Sequence, residues 1–190
     1  MRITAVWNAA PPLLNVHAPR SRTYSPEKSG FIAAYEYVRI AIGCSRRNGE
    51  NTFMQLNTYL NYGGNCEQAF RFYEQHLGGK ITMLMRHGEQ PDASQVPPEW
   101  KNAVLHARIS VGGTELLGAD IPPDRFQPMR SAYLSLTVTS VEEAERLYAL
   151  LSDGGQIFMP MEETFFAVRF AMLRDRFGTS WMLLHPRPRQ

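Results

Sequence analysis

Between Met54 and the C-terminus, the chain repeats a pattern of strand, helix and strand about 75 residues later. Each copy has an alternating segment, a short loop, a helical segment, a glycine pair and another alternating segment. The helical segments cover residues 67–77 and 141–151, and the glycine pairs are Gly78-Gly79 and Gly154-Gly155. An internal repeat of this kind predicts two similar half-domains that pack on each other. A pocket can then form between them.

Apolar residues in both helical segments recur at spacings of three and four, so each helix has one apolar face for a sheet. They are Cys66, Phe70, Tyr73 and Leu77 in the first helix, and Val141, Ala144, Leu147 or Tyr148, and Leu151 in the second. Asn65 is predicted to cap the first helix, and Ser140 with Glu143 the second. The glycine pairs supply the positive-φ residue that a helix C-terminus favours.

Further strands follow each helix. Residues 104–111 and 114–117 flank Gly112-Gly113, a two-residue hairpin signal, and residues 165–173 and 180–184 flank a second turn. Each half is therefore predicted to be βαβββ, with modules at about 56–120 and 131–186 inside one α+β domain at 54–190. The insert at 86–102 is a long loop, which is either a functional lid or plain surface.

Residues 1–53 carry scattered prolines and no sustained period, so an irregular leader is predicted. This leader holds seven basic and three acidic residues, whereas the other residues hold 13 basic and 15 acidic ones. The basic charge belongs to the leader, so no nucleic-acid partner is expected for the domain. Gly49-Glu50 implies a purine-rich, ribosome-binding type of codon run just before Met54. In a bacterial source Met54 is the expected true start; the alternative is a genuine flexible tail.

Cys44 and Cys66 are the two cysteines of the chain, which excludes a disulfide framework and a zinc site built from several cysteines. No apolar run approaches the roughly 18 residues that span a bilayer. We therefore expect no membrane partner and a cytoplasmic location. Cys66 either has a lowered pKa near a helix N-terminus or acts as a small hydrophobic residue.

Five short motifs of the domain resemble one protein family. They are MLMRHGEQP at 83–91, His106-Ala107, GGTELLGAD at 112–120, ETFF at 163–166 and DRFGTSWM at 175–182. Together they resemble the PhnB-like branch of the vicinal-oxygen-chelate superfamily, which includes glyoxalase I, extradiol dioxygenases, and fosfomycin- and bleomycin-resistance proteins. The resemblance covers 54–190. It implies a glyoxalase-like curved mixed sheet around a central cavity, and a homodimer. One departure is Phe166-Ala167, where the branch usually has Trp-Gly in the pocket wall.

The metal enzymes of this superfamily place one ligand on each of four strands. The matching positions here are Asn57, a position within 116–118, Tyr133 and Met182. A divalent ion of this type needs His nitrogens and carboxylate oxygens, which these residues do not supply. The resemblance therefore implies neither a metal nor another cofactor. A relocated ion on His106, Asp120 and Glu163 is the alternative.

Strand parity puts His106, Arg108 and Ser110 on one face of their strand. His106 is predicted to line the cavity as a general base; the alternative is a partly exposed strand histidine bonded to a neighbour. Asp120 ends the next strand. It either orients His106, as a second catalytic residue, or caps the turn before Pro122.

The ligand is expected to contact residues of both modules. Asn57 and Tyr59 share one face of the first strand, and Tyr133 lies on its repeat; these three are predicted to bind a polar ligand, although strand tyrosines also serve simply for their area. In the second half, Glu163, Phe165 and Phe166 are predicted to wall the cavity.

The resemblance implies a protein that acts on or binds small molecules. One hypothesis is a lyase- or transferase-type enzyme that lacks the metal tetrad and works on a polar metabolite or xenobiotic. The alternative is a non-catalytic protein that sequesters a drug or metabolite. Glyoxalase I activity is not expected without the tetrad. Methyl transfer from S-adenosylmethionine is not expected either, because the sequence lacks a glycine-rich strand-to-helix turn for the methyl donor.

Overall fold

The computed structural model of the protein describes residues 56–188. The strands and helices are, in order, β1 (Thr58–Tyr62), α1 (Cys66–His76), β2 (Lys80–Arg86), β3 (Val104–Val111), β4 (Thr114–Asp120), β5 (Leu134–Thr137), α2 (Val141–Ser152), β6 (Gln156–Glu162), β7 (Ala167–Arg174) and β8 (Ser180–Pro186). The order confirms the prediction that βαβββ occurs twice. The predictions about the leader and about a start at Met54 concern residues outside the described range.

The eight strands form two open sheets of four, with the orders β1-β4-β3-β2 and β5-β8-β7-β6. In each sheet the first strand of the module runs parallel to the last strand, and the other pairs are antiparallel. The α+β fold with two glyoxalase-like modules is therefore confirmed. Within the described part of the chain, no helix has the length and apolar character needed to cross a membrane.

One side of each sheet is covered by the helix of its own module. We call the side of the first sheet that packs against α1 its helix face. The side turned away from α1 is called its open face, although some of its residues are buried. Ala107, Ile109 and Leu116 lie on the helix face and are buried together with Ala69 and Phe70 of α1. The second module repeats this packing between α2 and its own sheet. Because the buried residues of both modules form one hydrophobic cluster, the two modules share a core.

The N-termini of the two helices are capped in different ways. The Oγ of Ser140 accepts a hydrogen bond of 3.2 Å from the backbone N–H of Glu143, as predicted. Asn65 occupies the predicted N-cap position of α1, but its side chain makes no capping bond. The carboxylate of Asp120 replaces it, accepting from the backbone N–H of Cys66 at 2.9 Å. The parallel pairing of β1 with β4 places Asp120 opposite Tyr62, which brings it beside the start of α1.

The insert between β2 and β3 contains three short 3-10 turns, His87–Glu89, Ala93–Gln95 and Pro98–Trp100. Arg86 pairs with Glu67 of α1 at 2.5 Å. A backbone hydrogen bond of 3.0 Å from the N–H of His87 to the carbonyl of Ala103 closes the base of the insert. No residue of the three turns is buried, so the insert is a surface loop closed at its base, and its predicted role as a lid stays a hypothesis.

Candidate functional site

The open face of the first sheet carries a hydrogen-bonded pair of His106 and Tyr59. The Nδ1 of His106 lies 3.2 Å from the Oη of Tyr59, and the ring centroids are 5.8 Å apart. Tyr59 lies opposite Leu117, which lies opposite Arg108, two residues along β3 from His106. Because every second residue of a strand faces the same way, Tyr59, Arg108 and His106 share the open face.

His106 is completely buried, with 0 % of its surface exposed. His106 is therefore not the partly exposed strand histidine of the alternative interpretation. It does, however, form the hydrogen bond to a neighbour that this interpretation included. Its Nε2 is buried and has no hydrogen-bond partner within the described residues. A buried polar atom without a partner costs free energy, so such atoms are rare in folded proteins and invite a functional explanation.

The protonation states of this pair follow from their surroundings. Burial lowers the pKa of His106 below its usual value of 6.5, and the positive charge of Arg108 lowers this pKa further. Burial raises the pKa of Tyr59 to about 12. At neutral pH the imidazole is therefore neutral and the phenol keeps its proton. A neutral imidazole has one nitrogen that donates and one that accepts, so the pair can hold or move a proton.

Asp120 does not orient His106. Its Oδ1 accepts from the backbone N–H groups of Gly64 and Cys66, and its Oδ2 accepts from that of Val104 at 2.7 Å. Asp120 lies opposite Tyr62 on the helix face, whereas His106 lies on the open face. The predicted catalytic role of Asp120 is therefore corrected to a structural one. Nor does it cap the turn before Pro122; it caps the start of α1 and fixes the start of β3.

Other polar residues extend the open face around the pair. Asn57 precedes β1 and has the same strand parity as Tyr59, so it lies on the predicted side. Ser110 lies opposite Glu115 of β4, which puts Glu115 on this face as well. Glu115 is not among the site residues predicted from the sequence. The Gly112-Gly113 hairpin could have identified it, because this hairpin pairs Val111 with Thr114 and so sets the register between β3 and β4.

The candidate ligand-binding residues of the second module lie apart from this pair. Tyr133 is 38 % exposed, and its ring lies 6.2 Å from that of Phe158. Glu163 is exposed and pairs with Arg187. The Phe166 ring, 44 % exposed, lies 5.1 Å from that of Phe170, whereas Phe165 is 93 % exposed. No contact between these residues and His106 or Tyr59 supports one shared wall, so that expectation stays a prediction.

The residues at the superfamily's metal positions do not fit a metal. Asn57, Tyr133 and Met182 offer an amide, a phenol and a thioether, and Leu117, the open-face residue within 116–118, offers no donor. Over residues 56–188, no group of three or more His, Cys, Asp or Glu side chains is placed to hold a metal ion. The alternative set of His106, Asp120 and Glu163 therefore does not converge.

Two cavities lie at the edges of the first module. One, of about 570 Å³, lies between α1 and the insert, and Glu67, Glu99 and Trp100 line it. The other, of about 260 Å³, lies at the junction of the two modules and is lined by Asn61, Phe126, Phe177, Arg174 and Arg176, among others. Neither is lined by His106 or Tyr59, so the pair lies outside both cavities.

Comparison with known proteins identifies the family. The model of a family described as 3-demethylubiquinone-9 3-methyltransferase matches residues 54–184. The chain belongs to this family. A PhnB protein is among the similar solved structures, so the predicted PhnB-like family is confirmed. The match covers the first module and the second module as far as residue 184, within β8.

Three relatives illustrate the likeness. Protein YjdN of Escherichia coli is 30% identical over 138 residues, which are 68% of this chain and 94% of YjdN. Protein PA1353 of Pseudomonas aeruginosa is 38% identical, with a TM-score of 0.64 over 72% of this chain and 100% of that one. A PhnB protein of Bacillus cereus, titled a putative 3-demethylubiquinone-9 3-methyltransferase, is 25% identical, with a TM-score of 0.61 over 70% of this chain and 99% of that one.

Proposed function

We propose that the protein is a small-molecule enzyme that works without the superfamily's metal tetrad, with His106 as the general base on the open face of the first sheet. The observation that carries this proposal is the Nε2 of His106, which is buried and unpaired among the described residues while Nδ1 is held at 3.2 Å by Tyr59. A histidine that acts as a general base must be neutral at the working pH and must have a free lone pair.

General-base action at Nε2 requires the tautomer in which Nδ1–H donates to the Oη of Tyr59. The lone pair then lies on Nε2, and a proton taken from the substrate leaves a positive imidazolium beside the Tyr59 oxygen. The lowered pKa of His106 keeps the imidazole neutral before the reaction. Tyr59 is 41 % exposed, so it lies where a ligand approaching from solvent contacts it first. Tyr59 is thus the proposed binding residue and His106 the proposed catalytic one.

The proposed activity is not methyl transfer, although the family description names a methyltransferase. In both sheets, the first strand of each module pairs in parallel with the last strand, and the remaining pairs are antiparallel. This differs from the doubly wound parallel sheet in which a glycine-rich strand-to-helix turn binds a cofactor. The proposed reaction class is therefore proton abstraction from a polar metabolite or xenobiotic.

A second candidate function is non-catalytic binding of such a molecule. It is favoured by the 0 % exposure of His106, since a base must meet its substrate. Under this proposal Asn57, Tyr59 and their neighbours hold a polar ligand, and His106 only holds Tyr59 in place. Enzyme and binding protein then differ in whether the imidazole reaches the ligand.

One experiment separates the two candidates. A thermal-shift screen of polar metabolites and antibiotics finds ligands, because a ligand stabilises the state that it binds. Each hit is then incubated with the unaltered protein, with His106→Gln and with Tyr59→Phe, and products are followed by NMR. Turnover that is lost in His106→Gln while binding remains supports the enzyme. Binding by all three proteins without turnover supports the binding protein, and no hit that depends on either residue contradicts both.

We also propose a cytoplasmic homodimer. The second module exposes several aromatic side chains on or near its sheet, Tyr133, Phe158, Phe165 and Phe166, and exposed apolar patches of this kind often mark contacts between proteins. The buried free thiol of Cys66 is compatible with a reducing compartment. Light scattering at micromolar concentration tests the assembly, and a monomer would contradict it.

A further inference from the structure

We infer that the cavity at the junction of the two modules binds a small anionic group, a carboxylate or a phosphate, held by Arg174. This site lies apart from the His106 and Tyr59 pair and goes beyond the proposed function. The cavity has a volume of about 260 Å³, which suits a small anion or one end of a larger molecule.

The charge of the cavity wall carries the inference. Among residues 56–188, its charged lining residues are Arg174 and Arg176, and no carboxylate lines it. Arg176 is compensated, because its Nη1 lies 3.0 Å from the Oδ2 of Asp153. Arg174 forms no ion pair with any residue in the described range, and its hydrogen bonds reach only neutral acceptors: the Oγ of Ser180 at 3.4 Å and the carbonyl of Met129 at 3.2 Å.

The guanidinium of Arg174 is held in place by its neighbours. It lies 5.3 Å from the ring centroid of Phe158, and β7 fixes its backbone opposite Ser180 of β8. A half-buried guanidinium with no counter-charge attracts anions, and its planar fork matches a carboxylate or a phosphate. Because the side chain is already ordered, binding costs little side-chain entropy.

The remaining wall supplies neutral donors and apolar surface. Asn61, from the open face of the first sheet, contributes an exposed amide that can donate to an anion. Phe126 and Phe177 line the cavity beside it. The two modules each contribute to the site, with Asn61 from the first and Arg174 from the second. An anion bound there bridges the modules.

The test is a titration of the full chain with inorganic phosphate and, separately, with acetate, at constant ionic strength set by chloride. Amide NMR shifts at Asn61 and Gly178 and the Nε–H signal of Arg174 are the expected reporters. Saturable shifts at these positions support the site, and the ligand with the lower Kd identifies the preferred anion. Shifts that do not saturate, or that appear elsewhere, overturn it.

Two variants and a control sharpen the result. Arg174→Met removes the charge, and Asn61→Asp adds a negative charge without removing any contact of Arg174. Each is expected to weaken phosphate binding about tenfold or more, the size of one lost hydrogen bond to a charged group. Arg71→Met is the matched control, since this exposed arginine already pairs with Glu67 and Glu74, and its affinity is expected to stay unchanged.

If Arg174→Met does not fold, Asn61→Asp still decides the question. Unchanged affinity in Asn61→Asp and in any folded Arg174 variant overturns the inference. His106→Gln is expected to bind phosphate as tightly as the unaltered protein. Failure of this site and failure of the proposed function are therefore distinguishable.

Discussion

The hydroxyl of Tyr73 in α1 donates a 2.6 Å hydrogen bond to the Oδ2 of Asp175, which lies 102 residues later in the turn between β7 and β8. The same hydroxyl lies 2.9 Å from the Oγ1 of Thr179, and Tyr62 reaches that oxygen at 3.0 Å. Trp181 donates its Nε1–H to Oδ2 of Asp175 at 2.8 Å. All these side chains are buried, so a polar network joins the two modules inside their shared core.

This network explains part of the DRFGTSWM motif. The Oδ1 of Asp175 accepts from the backbone N–H groups of Phe177 and Thr179, both at 2.9 Å, which shapes the turn. Oδ2 is left for Tyr73 and Trp181. Burial raises the pKa of Asp175, and these four hydrogen bonds oppose that rise because they favour the charged carboxylate. The motif is therefore a junction between modules.

We predict that Asp175→Asn lowers the free energy of unfolding by about 1–3 kcal/mol, the cost of leaving a buried donor without an acceptor. Asparagine keeps one oxygen for the two backbone N–H groups but turns an N–H₂ toward Tyr73 and Trp181. Urea unfolding measures the change. Tyr133→Phe is a control, since Tyr133 is 38 % exposed and its change is expected within about 0.5 kcal/mol.

A double-mutant cycle tests whether Tyr73 and Asp175 act together. Tyr73→Phe alone is expected to cost about 1–2 kcal/mol. Since the two residues are in direct contact, the double variant should cost less than the sum of the single ones, by about 0.5 kcal/mol or more. Strictly additive values would show that the bond of 2.6 Å contributes nothing of its own.

We predict that Asp120→Asn destabilises the protein by about 1–3 kcal/mol without changing the titration of His106. The side-chain amide would place its N–H₂ against a backbone N–H that now donates to the carboxylate, either that of Val104 or that of Cys66. Urea unfolding gives the cost, and hydrogen exchange should show faster opening at the start of α1. Asp124→Asn is the control, because Asp124 is exposed. A shifted His106 titration in Asp120→Asn would restore the orienting role.

The fold could be predicted from local signals because those signals are repeated. Helix periodicity, the glycine pairs and the Gly112-Gly113 hairpin each act within a few residues, and Gly78 and Gly154 indeed have φ values of 64° and 67°. The side of the sheet on which His106 lies also follows from parity. The hydrogen-bond partners of Asp120 could not be predicted in this way, because the parallel pairing of β1 with β4 joins residues far apart in the chain. The same holds for Asp175 and Tyr73, which no local pattern connects.

We predict that Gly155→Ala destabilises the protein far more than Gly154→Ala. A Cβ at Gly155 would lie 2.3 Å from the carbonyl oxygen of Arg174 and 3.1 Å from that of Leu151, and both are backbone atoms. The backbone must therefore shift, at an expected cost above about 4 kcal/mol. Gly154 has a φ of +67° and more open surroundings, so alanine there should cost about 1–2 kcal/mol. Thermal and urea unfolding compare the two, and equal costs would contradict the close approach.

We predict that His106 makes the protein less stable as the pH falls below 6.5. Its folded pKa lies below 6.5, so in this range the unfolded chain binds a proton that the folded chain does not. Stability from this residue is complete above about pH 6.5, is lost as the pH falls to the folded pKa, and then levels off. The loss is about 1.4 kcal/mol for each unit of pKa difference.

The measurement compares urea unfolding of the unaltered protein and of His106→Gln between about pH 5 and pH 8. The difference between the two curves isolates His106, because the other histidines are common to both proteins. NMR titration of the imidazole gives the folded pKa directly. A midpoint above 6.5, with stability gained as the pH falls, would contradict the burial of an unpaired neutral imidazole.

The last prediction concerns metal. Asn57, Tyr133 and Met182 stand at three of the superfamily's ligand positions, and over residues 56–188 no other cluster of donors converges. Purified protein is therefore expected to hold no stoichiometric zinc, nickel or iron. Chelator should leave the Tm unchanged, and added zinc should not raise it, since an ion that does not bind the folded state cannot stabilise it. Elemental analysis that finds about one tightly bound transition metal per chain would overturn this expectation and give the proposed enzyme a Lewis acid.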